Sequence, residues 1–133
     1  MRRLSMAARK AVMDKDDRWV EQAEELVRGL QTRGAENKVG QLRNIQSLAE
    51  STNSWKAVQL FMRYQAARKQ LDADWVEAAI KRLDNLLVDA KTISQLTKDD
   101  ETAVHMELLE RVIGFAVRKH VWDTRLKGKE EAV

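Results

Sequence analysis

The sequence predicts an all-α fold, a compact bundle of about five helices forming a single domain over residues 1–133. Three observations carry that prediction. Proline is absent and glycine occurs five times in 133 residues; helix interiors reject proline, which lacks the N–H donor and clashes with the preceding turn. Apolar residues recur at three- and four-residue spacing along most of the chain, the period of one helical face. Finally, 44% hydrophobic and 34% charged residues suit amphipathic helices, in a chain long enough to bury one core without covalent staples.

The elements follow in order. Residues 1–15 read as a basic N-terminal arm or weak helix, with Leu4, Ala7, Ala8, Ala11 and Val12 as its apolar positions. Asp16 or Asp17 caps a first firm helix whose inward face is Trp19, Val20, Ala23, Leu26, Val27 and Leu30, and Gly34 ends it. A second helix runs from about Lys38 to Ala49 with Val39, Leu42, Ile45 and Leu48 inward. The polar run Ser51 to Ser54 stops it, and Ser54 caps a third helix from Trp55 to about Leu71. A fourth starts near Asp74 and carries Trp75, Val76, Ala79, Ile80, Leu83, Leu86, Leu87 and Ala90 on one stripe. After a polar loop through Thr97–Asp100, a fifth spans about Glu101 to Trp122. The tail 125–133 has little to bury and is expected to be mobile.

Two of these helices are apolar over most of their circumference. In the third, Trp55, Val58, Phe61, Met62 and Ala66 form one arc and Ala57, Leu60, Tyr64, Ala67 and Leu71 a second, leaving a narrow polar stripe of Lys56, Gln59, Arg63 and Gln70. The fifth has a similarly wide apolar arc beside the stripe Glu107, Glu110, Arg111, Gly114 and Arg118. Such helices belong at the centre of a bundle or at a subunit interface.

Signals for catalysis, metals and cofactors are lacking. With no cysteine, disulfides, thiolate metal sites and cysteine nucleophiles are excluded, which suits a reducing cytoplasm. No apolar run approaches the ~20 residues that span a bilayer, so a soluble cytoplasmic protein with no membrane partner is expected. There is no Gly-rich phosphate loop and no nucleophile elbow. His105 and His120 stand too far apart on one helix, ~22 Å along its axis, to share an ion. A non-enzyme without metal or cofactor is therefore expected. Gly114 is an odd choice inside a helix, costing about 1 kcal/mol against alanine; it marks a mild kink or allows another backbone or a phosphate to come close.

Charge is the most informative feature. Residues 37–71 hold six cations, Lys38, Arg43, Lys56, Arg63, Arg68 and Lys69, against one acid, Glu50, whereas residues 72–110 hold four cations against ten acids. Blocks of opposite sign fit intramolecular complementarity or head-to-tail self-association. A basic surface on a rigid hairpin favours phosphate, because Lys and Arg displace the counterions condensed on nucleic acid. Arg68 falls in an otherwise apolar arc and is read either as a structural cation in the last turn or as a phosphate contact. Trp55, Phe61 and Tyr64 stand at core-like spacing, so contacts to the nucleic-acid backbone are expected in place of base stacking.

The strings Gln41-Leu42-Arg43-Asn44-Ile45 and Phe61-Met62-Arg63-Tyr64-Gln65-Ala66-Ala67-Arg68, followed by Trp75, resemble the small-subunit family of type III CRISPR effector complexes. The likeness covers about residues 36–90, and Ala67 stands where the pattern has glycine. The resemblance implies a non-catalytic helical subunit, present in several head-to-tail copies as the inner filament of an RNA-guided complex. It implies guide RNA, target RNA and the other effector subunits as partners, with basic residues supporting the guide–target duplex. Arg43, Arg63 and Arg68 match the pattern's arginines; Lys38, Lys56 and Lys69 are added from the charge cluster alone. A free-standing basic nucleic-acid-binding protein and a helical adaptor for an acidic protein are the alternatives.

Overall fold

In a computed structural model, which describes residues 2–31 and 38–127, the chain is all-α. Seven α-helices are present among the described residues: α1 (Met6–Met13), α2 (Asp16–Gln31), α3 (Val39–Ser51), α4 (Trp55–Ala67), α5 (Ala73–Asp84), α6 (Leu86–Thr97) and α7 (Glu101–Val121). A π-helical turn over Trp122–Lys127 prolongs α7. No described helix is long and apolar enough to cross a membrane.

The bundle is organised around α7, which packs against α2, α3 and α6 and buries residues on nearly all sides, from Val104 and Met106 to Ala116 and Val117. That is the central position its wide apolar arc predicts. Helices α4 and α5 pair with each other outside this shell, touching α3 and α2, and α1 lies on α6. Each start has a local cause. Ser54, Asp72 and Asp100 accept from the backbone N–H of Ala57, Trp75 and Ala103 at 2.9 to 3.0 Å, capping α4, α5 and α7.

Several boundaries differ from the sequence reading. Of the two readings of residues 1–15, arm or weak helix, the helix is the one present: Ser5 Oγ accepts from Ala8 N–H at 3.0 Å, and Asp99 in turn accepts from Ser5 N–H and Oγ–H at 2.8 and 2.6 Å. These bonds hold the Asp99 carboxyl below its usual range. The fourth predicted helix is two, α5 and α6, meeting at Asn85, where the ladder tightens to a Val88 N–H to Asn85 C=O bond of 3.2 Å. Leu87 on α6 and, separately, Val20 on α2 are exposed, not inward.

Helix α4 stops at Ala67, four residues early. Gln70 N–H reaches Gln65 C=O and Lys69 N–H reaches Ala66 C=O, both at 2.9 Å, with Lys69 left-handed at φ 62°. That is a Schellman stop made with lysine where glycine is usual. The middle of the second apolar arc of α4 faces solvent, with Leu60 70% and Tyr64 53% exposed, whereas Leu71 beyond the helix end is buried. Gly34 lies outside the described residues, as do residues 128–133 of the predicted mobile tail; residues 125–127 of that tail belong to the π-helical turn.

Opposite charge blocks meet within the chain. Arg111 on α7 forms a fork to Asp16 on α2 at 2.5 and 2.8 Å, holding that carboxyl below its usual range. Arg18 on α2 pairs in the same way with Asp89 on α6 at 3.1 Å. Arg2 is the least expected of these cations. Its side chain is 5% exposed; it donates to the C=O of Ala49 and Thr52 at the end of α3 (2.9 and 3.1 Å) and pairs with Glu110 of α7. One guanidinium thus caps α3 and pins it to α7.

Candidate nucleic-acid interface

The α3–α4 hairpin is assembled by core residues and a buried amide clamp. Val39, Leu42, Ile45 and Ala49 of α3 and Val58 and Met62 of α4 are buried. Between them Gln65 Nε2 donates to Gln41 Oε1 at 2.6 Å, and Gln41 Nε2 donates to Gln70 Oε1 at 3.3 Å. Two residues of the strings that carry the resemblance, Gln41 and Gln65, are therefore joined inside the hairpin, and the arginines of those strings are left outside.

The six cations fall into different environments. Lys38 precedes α3, half-buried, and its backbone N–H donates to His120 Nε2 at 3.0 Å. Arg63 is exposed but forked to Glu77 of α5 at 2.9 and 3.0 Å. The pairing moves the two pKa values apart, the guanidinium upward and the carboxyl downward, although salt and competing phosphate weaken such an exposed pair. Arg43, Lys56, Arg68 and Lys69 are exposed and have no carboxylate partner among the described residues. Lys56 lies in the first turn of α4, where the helix dipole disfavours a cation, so helix stability does not account for it. Arg68 is the C-cap residue of α4, and its exposed guanidinium lies over the ring of Tyr64, 5.4 Å from the centroid.

These cations do not share one face. Lys56, Leu60, Arg63, Tyr64 and Ala67 follow at i, i+4, i+7, i+8 and i+11 along the exposed side of α4, with Arg68 and Lys69 at its end. Arg43 is two residues from Gln41, the side chain that faces α4, which places it about 200° round α3 on the far flank. That flank turns toward α7. The two helices run antiparallel, and Gln46 lies over Gly114, where an added Cβ would come within 3.0 Å of Nε2. Within the chain, the side chain that approaches Gly114 is that of Gln46 on α3.

A groove of about 210 Å³ opens at this point, lined by Gln46, Gly114, Arg111 and Arg118 together with the carboxylates of Glu107 and Glu110. Arg118 lies on α7, outside the basic hairpin, yet it is exposed, has no carboxylate partner among the described residues, and lies 5.4 Å over the Phe115 ring. It could be found from its place on the α7 polar stripe. A larger groove, about 570 Å³ between α2 and α5–α6, carries arginines already engaged, Arg18 by Asp89 and Arg82 by Gln22 at 3.3 Å.

The histidines are taken up by backbone contacts. His105 Nε2–H donates to Leu83 C=O at 3.1 Å and its ring meets Trp55 edge-on, 5.7 Å between centroids. His120 accepts from Lys38 N–H through Nε2, so its proton resides on Nδ1. Burial pushes both imidazoles below the ordinary histidine value. Compared with known proteins, the chain matches no family model, no curated protein and no solved structure.

Proposed function

We propose that this chain is a non-catalytic small subunit of a type III CRISPR RNA-guided effector complex in the cytoplasm. Several copies associate head to tail as part of the inner filament and support the guide RNA–target RNA duplex through basic surface residues. The observation that carries the reading is the set of exposed cations Arg43, Lys56, Arg68 and Lys69, without a carboxylate partner among the described residues, on the hairpin that bears the family-like strings. Phosphate is the partner that such a surface favours. The exposed apolar row on α6, with Val88 72% and Leu96 77% exposed, is available for subunit contacts.

Expression of the tagged chain with guide-binding and polymerase-like subunits tests the reading. Guide RNA is expected to co-purify, and Lys56→Glu, Arg68→Glu and Lys69→Glu together are expected to weaken target-RNA engagement while helicity by circular dichroism is retained. Arg43→Glu alone reports the opposite flank of α3. Absence of RNA binding, both alone and in the assembly, overturns the proposal. Tight, sequence-independent binding by the isolated chain would instead identify a free-standing nucleic-acid-binding protein, and capture only by an acidic protein an adaptor.

A further inference from the structure

We propose that Tyr64, backed by the Arg68 guanidinium, is a stacking platform for an unpaired base of single-stranded RNA. This rests on the RNA-binding reading of the hairpin and adds to it, because the exposed cations alone provide only phosphate contacts. Tyr64 is the chain's single tyrosine and lies away from the core, 53% exposed. Arg68 lies over its ring at 5.4 Å, and a guanidinium plane beside an aromatic ring is a surface on which unstacked bases settle. Leu60, one turn earlier and 70% exposed, and the small Ala67, one turn later and exposed, flank the ring along the helix.

Charge decides the occupant. Lys56 and Lys69 bracket the ring along α4, and the one carboxylate engaged by this face, Glu77, is taken by Arg63. A symmetric contact with a second copy through this face would set those cations against themselves. The other exposed apolar row, Val88 to Leu96 on α6, sets Lys91 beside the carboxylate of Glu101 and so offers no net complementary charge. A polyanion with apolar faces meets both demands, and single-stranded RNA is such a ligand.

The test titrates the full-length chain with a labelled single-stranded RNA and with the same strand made abasic over its central nucleotides, at low salt. The wild-type protein is expected to prefer the base-bearing strand by between about 5-fold and 100-fold. Tyr64→Ala is expected to abolish that preference with the salt dependence unchanged, and Tyr64→Phe to retain it. Equal affinity of the wild-type protein for the two strands overturns the stacking platform and leaves the phosphate reading standing; this comparison needs no variant to fold. No binding to either strand, alone or in an assembled complex, overturns both. Loss of self-association in Tyr64→Ala with RNA binding intact would assign the face to a protein contact and also overturn the platform.

Discussion

Replacing Arg2 with alanine removes a guanidinium that joins three things at once: the last carbonyls of α3, Glu110 of α7 and, at 3.6 Å, Glu107. Removing one member of a buried ion pair typically costs 3–5 kcal/mol. Here the surviving carboxylates keep side-chain exposures of 32% and 28%, so water relieves them in part and the low end applies, about 3 kcal/mol. Against the roughly 5–15 kcal/mol that holds a domain together, this is a large fraction. Urea unfolding followed by circular dichroism should show the midpoint lowered by about 1–3 M at a slope of about 1–3 kcal/mol/M.

Arg2→Lys should fall between, since a point charge cannot hold two carbonyls and a carboxylate together. The pH dependence has a definite sign. Burial and the neighbouring Glu107 already raise the Glu110 pKa above 4.5, and Arg2 opposes that rise. Without Arg2 the carboxyl rises further, so the loss in Arg2→Ala should shrink as pH falls from neutral and Glu110 takes up a proton. A loss below about 1 kcal/mol at pH 7 would refute the claim that the N-terminal segment fastens α3 to α7.

Three further outcomes are expected. Both imidazoles have folded-state pKa values below the ordinary 6.5, so stability should be full above that value and fall as pH drops below it, by at most about 1.4 kcal/mol per pH unit per histidine; flat stability between pH 7 and 5 would contradict their burial as neutral rings. Lys69→Gly should raise stability by about 1 kcal/mol, by relieving the left-handed φ of 62°, while weakening RNA binding through loss of a cation; a lower melting temperature would refute the Schellman stop. Gln65→Ala should cost about 1–3 kcal/mol without changing the RNA affinity of the folded protein, which separates the clamp from the exposed arginines.

Much of the architecture was legible because α2, α5 and α7 have clear apolar stripes, and the central place α7 takes is one of the two that the breadth of its arc allows. For α4 the same argument left bundle centre and subunit interface both open, and one side is exposed in the single chain. Periodicity reports which residues share an arc but not whether a neighbour covers it, so Leu60 and Tyr64 read like core and proved exposed. The end of α4 was hidden because lysine occupies the left-handed position where glycine or asparagine would have announced the stop. Asn85 gives little warning of a break because its dihedrals, φ −62° and ψ −19°, are nearly helical. Arg2 could not be read as a buried cation, since its partners are 47 to 108 residues away in sequence. In the candidate interface the charge cluster was visible, but its division between two flanks follows from the packing of α3 between α4 and α7.

The most direct test of the central claim is the salt dependence of RNA binding. A single-stranded RNA is titrated at about 50 and 200 mM salt with the wild-type chain and with Arg43→Ala, Lys56→Ala, Arg68→Ala and Lys69→Ala combined. Each phosphate neutralised contributes about −0.7 to the slope of log K against log salt. The four-site variant should therefore bind more weakly, with a slope shallower by up to about 3. Equal affinity and slope for the two proteins would contradict phosphate recognition by this surface.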